Sequence, residues 1–214
     1  MGSRMGSIMD ILIFVSLALV AYMLGAIPFG VVITRLLSDI DLRTQGSGNI
    51  GATNVLRCAG IRLGLLTLVL DISKGALPVY LAIAFLPTNQ LHIAVYPFIV
   101  ALCVFLGHLF PIYFGLRNGG KGVATAWGCF LVLSPLSGLL VLLVFALVVL
   151  VFKRVSLASL TAALALPPTV GFIDASLPGA LFSALIALLI VHRHRQNIVR
   201  LIQGKEPPIW GPKP

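Results

Sequence analysis

The chain has 214 residues, of which 59% are hydrophobic and only 10% are charged, and its mean hydropathy is +1.08. This composition excludes an ordinary soluble domain and is typical of an integral membrane protein. The formal net charge of +9 does not indicate a nucleic-acid-binding protein, because the sequence contains no soluble basic domain.

The first seven residues contain two Met-Gly-Ser units, and we interpret residues 1–7 as an expression-tag remnant outside the fold. Residues 8–206 are predicted to form a single transmembrane domain, and residues 207–214 a short C-terminal tail. Since a membrane-spanning helix needs about 20 apolar residues, the sequence predicts an all-α, polytopic integral membrane helical bundle of about seven transmembrane helices. Short re-entrant or interfacial helices are expected on its cytoplasmic side. The predicted spans are Ile8–Leu36, Leu63–Leu86, Leu91–Leu116, Lys121–Leu133, Leu136–Phe152, Leu157–Ile173 and Leu177–His192.

Lys and Arg residues follow the first, third, fifth and seventh of these spans, whereas the other connections contain none. Because basic flanks are retained in the cytoplasm, an odd number of spans predicts an N-terminus outside and a C-terminus in the cytoplasm of a bacterial inner membrane. The same basic residues would also attract anionic membrane lipid.

The polar stretch after the first span contains the sequence GSGNIGATNVLR, from Gly46 to Arg57. Its glycines permit positive φ angles and a close approach of the backbone to a ligand. Its hydroxyls and amides can bind a ligand or cap a short helix that runs toward Arg57. We therefore expect a partly re-entrant loop followed by a short helix, with a flexible Gly-rich linker as the alternative. The candidate binding residues here are Ser47, Gly48, Asn49, Gly51, Thr53, Asn54 and Arg57.

Asp71 and Lys74 lie within the second span at an i, i+3 spacing. Charges at that depth are costly and are usually paired or line a cavity. We interpret them as a structural ion pair rather than as catalytic groups.

The sequence from Gly115 to Gly122, GLRNGGKG, almost fits a nucleotide-binding P-loop, but it ends in Gly122 where that motif has Ser or Thr, and a membrane helix precedes it. Nucleotide hydrolysis is therefore excluded. The glycines still present N–H groups at the start of a helix, and Lys121 adds a positive charge. Gly119, Gly120 and Lys121 are thus candidates for binding phosphate or another oxyanion.

The last span is followed by HRHRQNIVRLIQGKE, from His192 to Glu206. His194 and Asn197 can share one face of a helix, and we expect both to be functional, whereas Arg200 and Lys205 could simply anchor the helix in lipid headgroups. In the sixth span, Ser156 and Ser159 share a face and can either cap the helix or hydrogen-bond into the site.

Several chemistries are excluded by absence. The sequence has no H-E-x-x-H, no paired-Cys motif, only six acidic residues, and no His followed by Asp in the H-x4-D arrangement. We therefore expect no metal and no cofactor. An acyl transfer would then need a strongly activated donor.

Cys58, Cys103 and Cys129 are interpreted as small buried hydrophobes rather than a disulfide framework. A transporter or flippase for an organophosphate is the alternative to an enzyme, but it predicts internal repeats that the sequence lacks.

Three motifs in order resemble the bacterial acyl-phosphate-dependent glycerol-3-phosphate acyltransferases of the PlsY type. They are SGNIGATN (residues 47–54), GHLFP with GGKGVAT (residues 107–111 and 119–125), and HRQNI with RL and GKE (residues 194–206). The resemblance implies transfer of a fatty acyl group from acyl phosphate to the primary hydroxyl of sn-glycerol 3-phosphate, which gives lysophosphatidate and inorganic phosphate. It also implies seven membrane helices and a cytoplasmic site.

Mapped onto this sequence, the resemblance and the chemistry together suggest roles for the candidates. Ser47, Lys121, His194 and Asn197 are expected to be catalytic. The expected substrate-binding residues are Gly48, Asn49, Gly51, Thr53, Asn54, Arg57, Gly119, Gly120, Ser159 and Glu206.

Overall fold

The computed structural model describes residues 2–85 and 95–209, and every regular element within those ranges is a helix. The all-α prediction is therefore confirmed there. The chain divides into two compact units, Met1–Leu133 and Ser134–Pro214, which are treated separately. The connection around residues 87–90, which was predicted from its lack of Lys and Arg, lies outside the described residues, and so does His92.

The described part of the first unit contains six helices and a 3-10 turn: α1 (Gly2–Ala26), α2 (Phe29–Leu37), α3 (Ala52–Ala59), α4 (Ile61–Phe85), α5 (Tyr96–Leu109), the turn Ile112–Phe114 and α6 (Val123–Leu133). The described part of the second unit contains four helices: α7 (Pro135–Phe152), α8 (Val155–Ile173), α9 (Leu177–Arg193) and α10 (Arg195–Ile202). The short helix predicted after the Gly-rich loop is confirmed as α3.

The predicted count of seven spans is approximate. Among the described residues, four helical segments are long and apolar enough to cross a membrane alone, and two bent helix pairs raise this number to six. The helix predicted from Lys121 is Val123–Leu133, with only 11 residues. At about 1.5 Å per residue it rises about 16 Å, roughly half of a hydrocarbon core of about 30 Å. It is therefore too short to span the core by itself.

The first predicted span, Ile8–Leu36, is not one straight helix. It breaks between Ala26 and Phe29, and its two parts are bent by 46°. Pro28 explains the break, because its nitrogen carries no hydrogen and its ring disfavours a helical conformation at the preceding Ile27.

The ion pair predicted in the second span is confirmed. Lys74 Nζ lies 2.8 Å from Asp71 Oδ1, and both side chains are buried. The same ammonium donates a hydrogen bond of 2.8 Å to the carbonyl of Ile27 and lies 5.5 Å from the centre of the Phe29 ring. The pair therefore satisfies a backbone group at the break and holds α2 against α4.

Glycines allow the helices of the first unit to approach closely. A Cβ at Gly25 would meet the carbonyl of Val104, and one at Gly107 would meet the carbonyl of Tyr22, where α1 crosses α5. Gly75 and Gly128 play the same part between α4 and α6. Small residues drive helix association in membranes because they bring backbones together. All three cysteines are free thiols, as predicted, but only Cys129 is buried, whereas Cys58 and Cys103 are half-buried.

In the second unit, α8 packs against both α7 and α9. The N-terminus of α9 is capped by the hydroxyl of Ser176, which accepts a hydrogen bond from the N–H of Gly179 at 3.1 Å. At its other end α9 stops at Arg193, and α10 leaves at an angle of 62°. The polar segment after the last span is thus a separate short helix.

We expect the substitution Lys74→Met to destabilise the protein by about 3–5 kcal/mol, because it leaves the Asp71 carboxylate buried without its partner. The apparent melting temperature in detergent measures this effect. The double variant D71L/K74M should recover most of the loss, since two apolar side chains leave no buried charge. Lys205→Met, at an exposed position, is the control and should have no effect. A melting temperature for K74M equal to that of the wild type would contradict a structural ion pair.

Candidate functional site

The Gly-rich loop of the first unit is held in shape by one buried side chain, Asn54 on α3. Its Oδ1 accepts a hydrogen bond of 2.9 Å from the N–H of Ser47, and its Nδ2 donates to the carbonyls of Gln45 at 3.1 Å and Leu42 at 3.4 Å. The amide group of Asn54 is therefore occupied by the loop backbone. It shapes the loop, whereas the sequence suggested that it binds the substrate directly.

A second asparagine closes the loop onto α3. Asn49 Oδ1 accepts a hydrogen bond of 2.9 Å from the N–H of Gly51, the residue that precedes the helix. Gly46 and Gly48 have φ angles of +62° and +68°, which is the left-handed region that favours glycine. These turns leave Ser47 and Gly48 exposed, whereas Thr53 and Arg57 on α3 are half-buried.

The exposed Arg43 of this loop is engaged by its neighbour Asp41. Their side chains form an ion pair of 2.9 Å, and the hydrogen bond from the Arg43 side chain is the main reason why the pKa of Asp41 falls to about 2. The guanidinium of Arg43 is therefore paired with Asp41.

The Gly-rich segment 119–122 leads directly into α6, as the sequence predicted. It lies on the last turn of α5, because a Cβ at Gly119 would meet the carbonyls of His108 and Leu109. The N–H of Gly120 donates a hydrogen bond of 3.1 Å to the carbonyl of His108. That N–H is thus already used, contrary to the expectation that it faces an anion. Lys121 follows in a half-buried position.

His108, which comes from the GHLFP motif, is buried beside this segment. Its Nδ1 lies 3.2 Å from Thr125 Oγ1 on α6 and 3.8 Å from Asp71 Oδ1 on α4. The second distance is too long for a hydrogen bond. The fold therefore brings a histidine and an aspartate together although the sequence has no H-x4-D motif, but it does not hydrogen-bond them as a catalytic dyad.

In the second unit, the C-terminal polar segment folds around the buried carboxylate of Glu206. Asn197 Nδ2 donates to Glu206 Oε1 at 2.6 Å, and Arg200 Nε donates to Oε2 at 2.8 Å. The backbone carbonyl of Glu206 accepts a hydrogen bond of 3.1 Å from Arg154 Nε. Glu206 therefore orients Asn197 and Arg200 and fixes the chain that follows α10 against the start of α8.

These contacts lower the pKa of the Glu206 carboxyl group. Burial raises its pKa, but the hydrogen bonds from Arg200 and Asn197 and the charge of Arg200 lower it, and the pKa ends below its ordinary value. The Ser156 hydroxyl also lowers it, although Ser156 Oγ has no hydrogen bond of regular geometry. Glu206 is therefore ionised at neutral pH.

His194 is buried, with an exposed fraction of 1%, at the junction of α9 and α10. Its Nδ1 lies 2.8 Å from the carbonyl oxygen of Ile190. A carbonyl can only accept, so Nδ1 carries the proton. Asn197, which the sequence placed on the same helical face as His194, lies in the first turn of α10, whose N-cap residue is His194, and is also buried.

The two serines of α8 have different surroundings. Ser159 Oγ donates to the carbonyl of Val155 at 2.8 Å, so this hydroxyl is bound within its own helix. Ser156 is the one beside Glu206. Sequence reasoning chose Ser159 and did not identify Asn54, His108, Arg154 or Arg200 as organising residues, because contacts that close a loop or join separate helices follow no fixed motif spacing.

The sequence profile described as glycerol-3-phosphate acyltransferase matches residues 15–204. A glycerol-3-phosphate acyltransferase of Syntrophotalea carbinolica is 48% identical over 193 residues, which are 90% of this chain and 96% of that protein. One of Jannaschia sp. is 47% identical and covers 90% of this chain and 91% of that protein.

A solved structure agrees with the sequences. The crystal structure of PlsY (YgiH), an integral membrane glycerol 3-phosphate acyltransferase, in its glycerol 3-phosphate form has a TM-score of 0.85 and 38% identity to this chain. The match covers 92% of this chain and 96% of that chain.

We expect Glu206→Gln to lower the apparent melting temperature at pH 7, because hydrogen bonds to a charged group are worth about 1.5–3 kcal/mol. The folded pKa of Glu206 is depressed, so its stabilising effect is complete above the unfolded value of about 4.3 and is lost as pH falls through the folded value. The difference between wild type and E206Q should therefore shrink as pH falls below about 4.3. Asp174→Asn, at an exposed position, is the control. A difference that stays constant with pH would contradict this account.

Proposed function

Because this chain belongs to the glycerol-3-phosphate acyltransferase family, we propose that it transfers a fatty acyl group from acyl phosphate to the primary hydroxyl of sn-glycerol 3-phosphate. The products are lysophosphatidate and inorganic phosphate. The family match over residues 15–204 is the observation that supports acyl transfer to glycerol 3-phosphate. The chemistry of the described residues supports the choice of acyl phosphate as the donor.

Two features favour acyl phosphate as the donor. The described residues contain no hydrogen-bonded His–Asp dyad that could activate an alcohol, since His108 and Asp71 lie 3.8 Å apart. An acyl phosphate is a mixed anhydride with a good leaving group, so it needs little help from a protein base. In addition, both substrates would then carry phosphate, which suits two Gly-rich segments with basic residues beside them.

The proposed reaction is assisted by the donor itself. The acceptor's hydroxyl oxygen attacks the acyl carbonyl carbon, and the bond from that carbon to the bridging phosphate oxygen breaks. A phosphate oxygen of the donor takes the hydroxyl proton, and inorganic phosphate leaves. The protein contributes by orienting both substrates and by stabilising the charge that develops on the carbonyl oxygen.

Residues of the first unit hold the phosphates in this proposal. Backbone groups of the two Gly-rich segments, with the hydroxyl of Thr53, cradle the acyl phosphate. Ser47, Arg57 and Lys121 bind the acceptor or stabilise charge in the transition state. Asn49 and Asn54 act by shaping the loop, because their side-chain oxygens accept loop N–H groups. The glycines of the cradle are Gly48, Gly51, Gly119 and Gly120. Because the N–H groups of Gly48, Gly51 and Gly120 donate within the protein, these three glycines contribute by allowing a close approach of the backbone to the phosphate.

In the second unit, we propose that His194 and Asn197 bind substrate through their side chains. The hydrogen bond from Nδ1 of His194 to the carbonyl of Ile190 fixes the orientation of its ring in this proposal. Glu206 acts by orienting Asn197. Ser159 retains a proposed role in substrate binding as a hydrogen-bond acceptor, through the lone pairs of its oxygen, since its hydroxyl hydrogen is directed to Val155.

We also propose that the chain lies in a bacterial cytoplasmic membrane with its N-terminus outside and its C-terminus inside. The distribution of Lys and Arg in the sequence supports this orientation. Green fluorescent protein fused after residue 214 should fluoresce in cells, and alkaline phosphatase at the same position should be inactive. The reverse result would overturn the orientation.

The donor is tested by phosphate release from the detergent-purified protein given palmitoyl phosphate, with and without glycerol 3-phosphate. We expect release only when the acceptor is present, together with lysophosphatidate, and no product from palmitoyl-CoA. Turnover with palmitoyl-CoA alone would replace the proposed donor. A folded protein inactive with both donors would contradict the enzyme and favour an organophosphate transporter, which liposome uptake would detect.

Lys121→Ala should lower kcat/KM by about 10²–10³-fold, the range observed when a group that stabilises transition-state charge is removed. Steady-state kinetics with palmitoyl phosphate measures the loss. Lys153→Asn removes the same charge from an exposed residue with a φ of +56°, a conformation that Asn tolerates, and it should leave kcat/KM unchanged. Equal rates for wild type and K121A would remove Lys121 from the site.

A further inference from the structure

The first unit contains a buried histidine that the proposed reaction does not use. The exposed fraction of His108 is 5%. The residue lies in the last turn of α5, where helix carbonyls lack partners within the helix. Its surroundings come from three other parts of the unit: Asp71 on α4, the segment at Gly120, and Thr125 on α6.

His108 holds the Gly-rich segment on both sides of Lys121. On one side, its carbonyl accepts the N–H of Gly120 at 3.1 Å, and its imidazole lies directly against the Cα of Gly120, where a Cβ would meet Nε2, Cδ2 and Cε1 of the ring. On the other side, its Nδ1 contacts Thr125 Oγ1 at 3.2 Å. The backbone of Lys121 lies between these two points of attachment.

The His108 ring lies beside the buried ion pair of α4. Asp71 Oδ1, at 3.8 Å from Nδ1, belongs to the ion pair with Lys74, which in turn bonds to the carbonyl of Ile27. Thr125 is fixed as well, because its carbonyl lies against Gly75 of α4. A rotation of the imidazole would therefore disturb Gly120 and Thr125, while α4 and α6 stay in contact.

We infer that His108 is a positioning residue for the acyl transfer: it sets the conformation of residues 119–122 and so the position of the phosphate that this segment binds. The inference rests on the proposed function of that segment. His108 would thus affect the binding of one phosphate-bearing substrate without contacting it and without exchanging a proton.

The test compares His108→Ala, Gly120→Ala and the double variant with the wild type. We expect H108A to raise the KM of one phosphate-bearing substrate by about tenfold, as removal of a binding interaction does, and to change the other KM less than about twofold. G120A should also raise that KM, because its new methyl group meets the imidazole. In the double variant the methyl group has room, so its KM should be lower than the product of the two single effects predicts.

A second variant keeps the inference testable if H108A does not fold. Thr125→Val removes only the hydroxyl that contacts Nδ1 and keeps the shape of the side chain. It should raise the same KM by about two- to fivefold, in line with the loss of one hydrogen bond. Thr67→Val is the matched control, because Thr67 is equally buried but its hydroxyl bonds to Leu63 within α4. T67V should leave both KM values unchanged.

Two results would overturn the inference. One is a folded H108A or T125V variant whose KM values both equal those of the wild type. The other is an equal rise in both KM values together with a lower melting temperature, which a purely structural role would produce. Failure of the proposed function is distinguishable, since the wild-type protein would then give no acyl transfer with either donor.

Discussion

The first unit depends on the pairing of two charges in an apolar environment. Asp71 and Lys74 could not remain ionised there alone, since each buried ion costs several kcal/mol. Together they also satisfy the carbonyl of Ile27, which the break at Pro28 removes from the regular helical pattern. The same aspartate supports His108. A pair that looks purely structural thus connects the broken first helix to the segment that we propose binds phosphate.

Glycine determines how the Gly-rich segment 119–122 is built. Gly119 and Gly120 lie so close to the end of α5 that a Cβ on either would displace backbone or the His108 ring. The glycines therefore allow this segment to pack directly on a helix. This explains why the segment can be fixed although it contains no regular structure.

In the second unit, a buried carboxylate fixes the polar C-terminal segment. Glu206 follows the turn at Gly204, whose φ is +69°, and its two oxygens receive Asn197 and Arg200. One buried anion thus holds a short amphipathic helix that could not be stable by itself, because an eight-residue helix is below the length at which isolated helices form. The arrangement gives Asn197 a single orientation.

The sequence by itself determined the membrane class, the approximate positions of the helices, the Gly-rich loop with its short helix, and the ion pair, because hydropathy, periodicity and i, i+3 spacing are local properties. The motif order also identified the family. Only the tertiary structure decided what individual polar groups do: that the amide of Asn54 is occupied by the loop, that the N–H of Gly120 bonds to His108, and that Ser156 rather than Ser159 lies beside Glu206. These contacts close a loop or join separate elements, and their distances depend on how helices bend and pack, which no local pattern records.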